Sequence, residues 1–339
     1  MTHVFEALAA PFTPPLWLKN AHVQTMLASL PPRRRRLERQ AQAWLPHARL
    51  DVLNLPDGVR LLSEWDEPLA QSPVASAERA PLAILLHGWE GSARSVHMLS
   101  LAGVLLRAGI ATVRLNLRDH GATHHLNAGL FHSCRLDEVV QAVRAIRERE
   151  PHRPVVLVGF SLGGNFALRL AASADLDLAA VLAVCPPLDP AHSLIRLQQG
   201  AMVYRHYFLQ KWNRSLTLKR QCWPQTYTVE NCPNGDDLLQ MTDVLVRRFT
   251  DYPSVEQYFQ GYALTGARLQ TLTTRAAIVL AADDPIIPVG DRVGLASTPQ
   301  LRIIEHPLGG HCGFLMDLNG AAWIDHRIAR AIESVLQAP

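Results

Sequence analysis

The sequence predicts an α/β fold, in which helices cover both faces of a mostly parallel central sheet and a helical lid is inserted. Three observations predict it. From residue 81 onward, short apolar runs alternate with longer helical patterns. Most of the runs are near-continuous rather than in/out alternations, the mark of strands buried on both faces. One interval of about 90 residues, far longer than an ordinary crossover, separates two of these strands. The 339 residues, 48% hydrophobic and 19% charged, are enough for a large core without staples and exclude disordered or fibrous classes.

The strands expected in this sheet are Leu82 to His87, Ile110 to Leu117, Val155 to Phe160, Ala179 to Cys185, Ala276 to Ala281 and Leu301 to Glu305. Helices are expected at Val96 to Arg107, Leu136 to Glu150, Leu162 to Ala172 and Ala321 to Leu336. In the second of these, Val139, Val140, Val143 and Ile146 form an apolar stripe opposite Arg144, Arg147, Glu148 and Arg149. Strand–helix alternation implies right-handed parallel crossovers. Ahead of them, Arg49 to Leu55 and Val59 to Trp65 flank Pro56-Asp57-Gly58, a turn signature that predicts an antiparallel hairpin at the sheet edge. The expected organisation is an N-terminal extension over 1–48, a core over 49–187 and 271–339, and a helical lid over 188–270. All six tyrosines, with Trp212, Trp223, Phe208, Phe249 and Phe259, fall within residues 204 to 262, making 11 of the chain's 22 aromatics. They can fill a subdomain core and, at the carboxyl edge of the sheet, cover a ligand.

Charge narrows the partners. With 33 basic and 30 acidic residues, the net charge of +3 gives no reason to expect nucleic acid. The run Arg33 to Arg36 reads as a solvated loop. Five cysteines (Cys134, Cys185, Cys222, Cys232, Cys312) with no C-x-x-C pair read as free thiols, and a Cys222–Cys232 bridge is the less favoured alternative. No basic n-region opens the chain and no apolar stretch reaches transmembrane length, so a cytoplasmic protein is expected, with peripheral membrane contact and oligomeric state left open.

Gly159-Phe160-Ser161-Leu162-Gly163-Gly164 lies between a strand and a helix. In that context G-x-S-x-G is a nucleophile elbow: the flanking glycines let a tight turn close, and the serine projects above the sheet at the positive end of the helix. Neither a P-loop nor a dinucleotide fingerprint is present. A serine needs a base, and His311 in Gly309-Gly310-His311-Cys312-Gly313 follows the last strand among glycines. Asp283 and Asp284 both close the strand before it, giving the order Ser, Asp, His. Asp284 is preferred on its D-x-I-x-P register, with Asp283 capping the loop. The oxyanion hole is expected from the Leu162 and Trp89 N–H groups, the latter in His87-Gly88-Trp89-Glu90-Gly91-Ser92. His87 reads as structural, and Glu90 is an awkward neighbour for a developing negative charge. The spacing of His120, His124 and His125 can ligate zinc but has no helical H-E-x-x-H context, so no metal and no organic cofactor are expected.

The chain resembles the YheT-like family of α/β-hydrolases. The resemblance rests on Asn20 to Thr25, His87 to Ser92, Phe131-His132-Ser133, Gly159 to Asn165, Tyr207-Phe208-Leu209 and Gly309 to Phe314. The loop after Leu117 departs from the family's usual R-G-C-S-G. The resemblance implies an α/β-hydrolase fold, a triad on Ser161, Asp284 and His311, and a serine esterase or lipase acting on short- to medium-chain carboxylic esters, acylglycerols among them. Rival readings are a thioesterase, peptidase or acyltransferase with the same triad, or a catalytically silent binding protein. Activity is expected to rise with pH around a midpoint of about 6 to 7 as His311 becomes a free base.

Overall fold

The expected strands all form and join one sheet. The computed structural model describes residues 2–69 and 80–338; residues 1, 70–79 and 339 lie outside it. In chain order, α1 (Glu6–Ala9), α2 (Ala21–Leu27) and α3 (Pro31–Ala41) precede the hairpin β1 (Arg49–Asn54) and β2 (Arg60–Asp66). Then come β3 (Leu82–Leu86), α4 (Val96–Arg107), β4 (Ala111–Leu115), α5 (Leu136–Arg149), β5 (Val155–Phe160), α6 (Leu162–Ser173) and β6 (Ala180–Val184). Four helices follow, α7 (Pro190–Gln199), α8 (Met202–Cys222), α9 (Leu238–Phe249) and α10 (Val255–Tyr262). The chain closes with β7 (Ala276–Ala281), β8 (Leu301–His306) and α11 (Trp323–Gln337).

The strand order is β1-β2-β4-β3-β5-β6-β7-β8. β1 pairs antiparallel with β2, and β2 antiparallel with β4; the pairs from β4 through β8 are parallel. Gly58 takes φ +72 in the hairpin turn, a conformation that costs glycine little. Every residue of β3 to β7 is buried, as the apolar runs require, with Thr112 and Arg114 of β4 held by Asp66, whereas the edge strands β1 and β8 are partly exposed. Alternation sorts β3 between the two faces. Leu82, Ile84 and Leu86 join the core with Val139, Val143, Ile146 and Phe166, while Ala83 and Leu85 join the one with Leu99, Leu105, Ile324 and Ile328.

The arginine run is not a loop. Pro31 and Pro32 sit in the first turn of α3, where a missing N–H costs nothing. Arg33 falls in helical phase with Leu37 and Ala41, the buried positions of that helix. Its guanidinium donates to Ala28 O at 2.7 Å, Ser100 Oγ at 3.0 Å and Gly320 O at 3.2 Å, while Arg34 to Arg36 are exposed. A run read by charge alone hides the one member whose helical phase turns it inward. The N-terminal segment is likewise no appendage. Phe5, Leu8, Phe12 and Leu18 are part of the core beneath α4 and α11, and Phe12 packs 5.2 Å from Trp323.

The helices between β6 and β7 start on clear signals. Asp189, Asp237 and Ser254 accept N–H bonds as N-caps of α7, α9 and α10. Tyr204, Trp212, Tyr227, Tyr258, Phe259 and Tyr262 are buried here and continue the core of one sheet face.

Candidate active site

β5 delivers Ser161 and α6 carries the chain away. Ser161 has φ 51 and ψ −122, a strained conformation for a side chain with a Cβ. The glycines around it are steric necessities. A Cβ on Gly159 would lie 2.2 Å from Gly163 O, and one on Gly163 would lie 2.2 Å from Leu86 O. The turn therefore sits directly on the end of β3.

The end of β8 brings His311 to this turn, with its Nε2 3.0 Å from Ser161 Oγ. The other ring nitrogen, Nδ1, is 2.8 Å from Asp284 Oδ2. Asp284 follows β7 and is 5% exposed; its Oδ1 accepts from Ile286 N at 2.8 Å and Ile287 N at 2.9 Å. Asp283 instead accepts from Gly310 N at 2.8 Å, so the two neighbouring acids divide the ring and its loop between them. Burial alone would lower the His311 pKa, but the Asp284 charge, the adjacent Cys312 sulfur and the Asp284 hydrogen bond together raise it to about 9. The midpoint of about 6 to 7 expected for an ordinary histidine is thereby displaced upward.

The N-terminal segment holds the His311 loop from below. Asn20 caps α2, accepting from His22 N at 2.9 Å and Val23 N at 3.1 Å. Thr25 Oγ1 accepts from His311 N at 2.9 Å and donates to Ala21 O at 2.8 Å. Gln24 Oε1 accepts from Leu315 N at 2.7 Å, and its Nε2 donates to Leu315 O and Leu18 O. Gly310, at φ +59, has no room for a side chain, because a Cβ would lie 2.6 Å from Ala21 O. In the sequence Asn20 to Thr25 carry the resemblance without a role, and the Asn N-cap is the one signal there of the helix that supports the His311 loop. Asn165, the last residue of the elbow stretch, has a role the sequence does not signal: its Nδ2 donates to Pro187 O at 2.9 Å and Tyr262 O at 2.8 Å while Oδ1 accepts from Arg169 Nε at 2.8 Å.

The other loop at the serine is His87 to Ser92. A Cβ on Gly88 would come within 3.2 Å of Ser161 Cβ. Neither the Trp89 nor the Leu162 N–H meets a protein acceptor among the described residues. His87 is structural: its Nδ1 donates to Gly88 O at 2.8 Å, its Nε2 accepts from Leu117 N at 3.1 Å, and burial lowers its pKa to about 4. Glu90 has φ 54 and its carbonyl accepts from Lys211 Nζ at 2.9 Å. Burial pushes its carboxyl up to about 8 against the pull of Lys211. A carboxyl raised in this way carries less negative charge at neutral pH than a free one.

Above Ser161 and His311 lies a pocket, partly open to solvent, lined by Trp89, Phe131, Phe208, Trp212, Tyr258 and Ile287 among others. Trp89 stacks on Phe208 at 5.1 Å and meets Trp212 edge-on at 5.2 Å, so rings of α8 rest on the His87–Ser92 loop.

The loop histidines turn to separate partners. His120 Nδ1 bonds Arg118 O at 2.7 Å and His124 Nε2 bonds Ser215 Oγ at 2.8 Å. Among the described residues, the group that could hold a metal is Cys185, His311 and Cys312, with ligand atoms within 4.8 Å of one another. All five cysteines are free thiols, with Cys222 exposed and Cys232 buried.

A family model described as "Alpha/beta hydrolase family" matches residues 83–322. The chain is 26% identical over 342 residues to the inferred esterase YheT of Escherichia coli (strain K12), covering 97% of this chain and 95% of that protein. The resemblance read from the motifs is thus borne out. It is 22% identical over 276 residues to a monoacylglycerol lipase of Saccharomyces cerevisiae, covering 76% of this chain and 60% of the lipase. Among solved structures, the Pyrococcus furiosus esterase Pf2001 aligns with a TM-score of 0.54 at 14% identity, over 84% of this chain and 90% of that one.

Proposed function

Because this chain belongs to the alpha/beta hydrolase family, we propose that it is a serine hydrolase that cleaves carboxylic esters through an acyl-enzyme. Ser161 Oγ attacks the ester carbonyl as His311 Nε2 takes its proton, and Asp284 holds the ring through Nδ1. The Trp89 and Leu162 N–H groups receive the charge that develops on the carbonyl oxygen. His311 then gives its proton to the departing alcohol. Water attacks the acyl-enzyme by the same route, releasing the acid and restoring the serine.

The observation that carries this reading is the hydrogen-bonded series Ser161, His311, Asp284 on the strained turn, with lengths of 3.0 and 2.8 Å. The names of the relatives, an esterase and a monoacylglycerol lipase, point to the same chemistry. The apolar lining of the cavity suits an uncharged acyl chain. In this reading residues 188–270 are the lid, and 49–187 with 271–339 are the catalytic core. No described helix is long and apolar enough to cross a membrane; free thiols suit a cytoplasmic setting.

Labelling with a fluorophosphonate, followed by mass spectrometry of the adduct, tests the reading without a chosen substrate. The label is expected on Ser161, and Ser161→Ala is expected to abolish it and to lower ester turnover on the order of 10⁴-fold or more. Labelling elsewhere, or turnover unchanged in Ser161→Ala, overturns it.

A further inference from the structure

We propose that Lys211 of α8 is a positioning residue for the oxyanion donor, holding and polarising the Trp89 N–H through two intervening peptide groups. The proposal rests on the serine-hydrolase reading above and adds to it a residue outside the triad and outside the pocket lining. Residues 88–91 form a tight turn closed by a bond from Gly91 N to Gly88 O at 3.0 Å. The peptide bonds of the described residues are trans, so the C=O and N–H of one peptide group point in opposite directions. Gly91 N and, at 2.8 Å, His87 Nδ1 both grip Gly88 O, and that grip sets the direction of the Trp89 N–H across the same peptide group. Gly91 N belongs in turn to the peptide group whose oxygen, Glu90 O, accepts from Lys211 Nζ at 2.9 Å.

A continuous series therefore runs from an ammonium group through Glu90 O, Gly91 N–H and Gly88 O to the Trp89 N–H. Hydrogen bonds in series polarise one another, and a positive charge at one end strengthens the donor at the other, where negative charge develops in the reaction. The turn also needs a grip. Glu90 sits at φ 54, a conformation that glycine adopts freely and a residue with a Cβ does not. One face of α8 supplies the grip, because residues three and four apart lie side by side on a helix. Phe208 and Trp212 meet the Trp89 indole at 5.1 and 5.2 Å, and Lys211 reaches past them to the carbonyl. The Tyr207 ring, 4.9 Å from Nζ, steadies the ammonium from a second side.

Two experiments test this on the full-length protein. In the first, kcat/KM for p-nitrophenyl butyrate is measured for the native chain, Lys211→Met and Lys211→Arg, with active sites counted by exhaustive fluorophosphonate labelling. Deleting an oxyanion donor outright costs about 10²–10³-fold; Lys211→Met keeps the donor but loosens it, so a fall of about tenfold or more is expected. Lys211→Arg, which keeps charge and donor, is expected to restore most of it. Inhibition by hexyl trifluoromethyl ketone reads the oxyanion site itself: Ser161 Oγ bonds the ketone carbon, its proton passes to His311, and the carbonyl π pair moves onto the oxygen. Its inhibition constant is expected to weaken in Lys211→Met by the same factor as kcat/KM, while competitive inhibition by octanol stays unchanged. An unchanged kcat/KM, a fall not matched by the ketone, or no rescue by arginine overturns the proposal. The second experiment needs no variant: in a crystal structure of the native ketone adduct, Lys211 Nζ is expected on Glu90 O and the adduct oxygen on Trp89 N, and Lys211 turned to solvent overturns the proposal. If the native protein neither labels at Ser161 nor binds the ketone, the serine-hydrolase reading itself falls, so the two failures are distinguishable.

Discussion

The floor of the site and the helical roof above it are held by different kinds of contact. On the floor, the backbone is what is gripped: two N–H groups fix Asp284, the N–H groups of Gly310 and His311 are held by Asp283 and Thr25, and the turn at Ser161 is closed by glycines pressed against carbonyls of the neighbouring strand. In the roof, side chains reach across: Lys219 to Asp119, Asn165 to Tyr262 O, and Ser133 N to the Tyr258 hydroxyl. Backbone contacts follow from the fold and permit little adjustment, so they suit the sub-ångström placement of reacting atoms. Side-chain contacts depend on which residues the insertion carries, so the same floor can serve under roofs of different volume.

The largest effect should come from the floor. Asp284→Asn keeps the shape but removes the charge that holds the His311 ring in one tautomer and raises its pKa. Turnover is expected to fall on the order of 10⁴-fold. The midpoint of the pH–rate profile offers a second readout. In the native protein activity should rise as pH passes through about 9, because His311 must lose its proton to act as base. Without Asp284, burial acts with less opposition and the midpoint should move toward acid. A profile unmoved by the substitution would mean that the pair does not control the base.

The roof offers an effect of middle size. Lys219 is fully buried, with Nζ 2.7 Å from Asp119 Oδ1 and from Asn127 O, and 2.9 Å from Gly129 O, so it pins the end of α8 to the loop after β4. Lys219→Met leaves the Asp119 carboxylate buried without its cation, a loss of about 3–5 kcal/mol in urea unfolding at neutral pH. Burial already raises the Asp119 pKa, and losing Lys219 removes its largest opposing influence. Because the folded-state pKa lies above the unfolded one, the penalty is present at neutral pH and shrinks as pH falls and Asp119 protonates. Fluorophosphonate labelling of Ser161 should survive in the folded fraction if floor and roof are held as separately as this comparison holds.

The same division explains what could be read from the sequence. The strands β3 and β5 to β7 are continuous apolar runs whose local pattern is their tertiary environment, and the elbow carries its glycines beside its serine. That His311 and Asp284 would meet Ser161 was legible because glycines and a strand end mark them. Arg33 was misread because its partners Ser100 and Gly320 are distant in the chain, and only the helical phase with Leu37 hinted at them. Thr25 and Asn165 stand in stretches that carry the family resemblance, but their contacts were hidden for the same reason: a small polar residue in a helix looks like surface until the loop it supports is in place. The pKa of His311 depends on Asp284 and Cys312 at distances that only the fold sets.

Thr25 gives the smallest and most discriminating effect, because it belongs to the N-terminal segment yet supports the floor. Its hydroxyl accepts the His311 N–H and donates to Ala21 O, linking the loop of the base to α2. Thr25→Val preserves shape and removes both bonds, leaving a partly buried N–H without a partner at a cost of about 1–3 kcal/mol. Stability should fall within that range. If the segment also positions the base, kcat should drop severalfold at fixed KM, since substrate contacts are untouched while the ring loses its anchor. Thr25→Ser, which keeps the hydroxyl, should restore kcat. A stability loss with unchanged kcat would make the N-terminal segment a brace for the fold alone and leave the placement of His311 to Asp284 and Asp283.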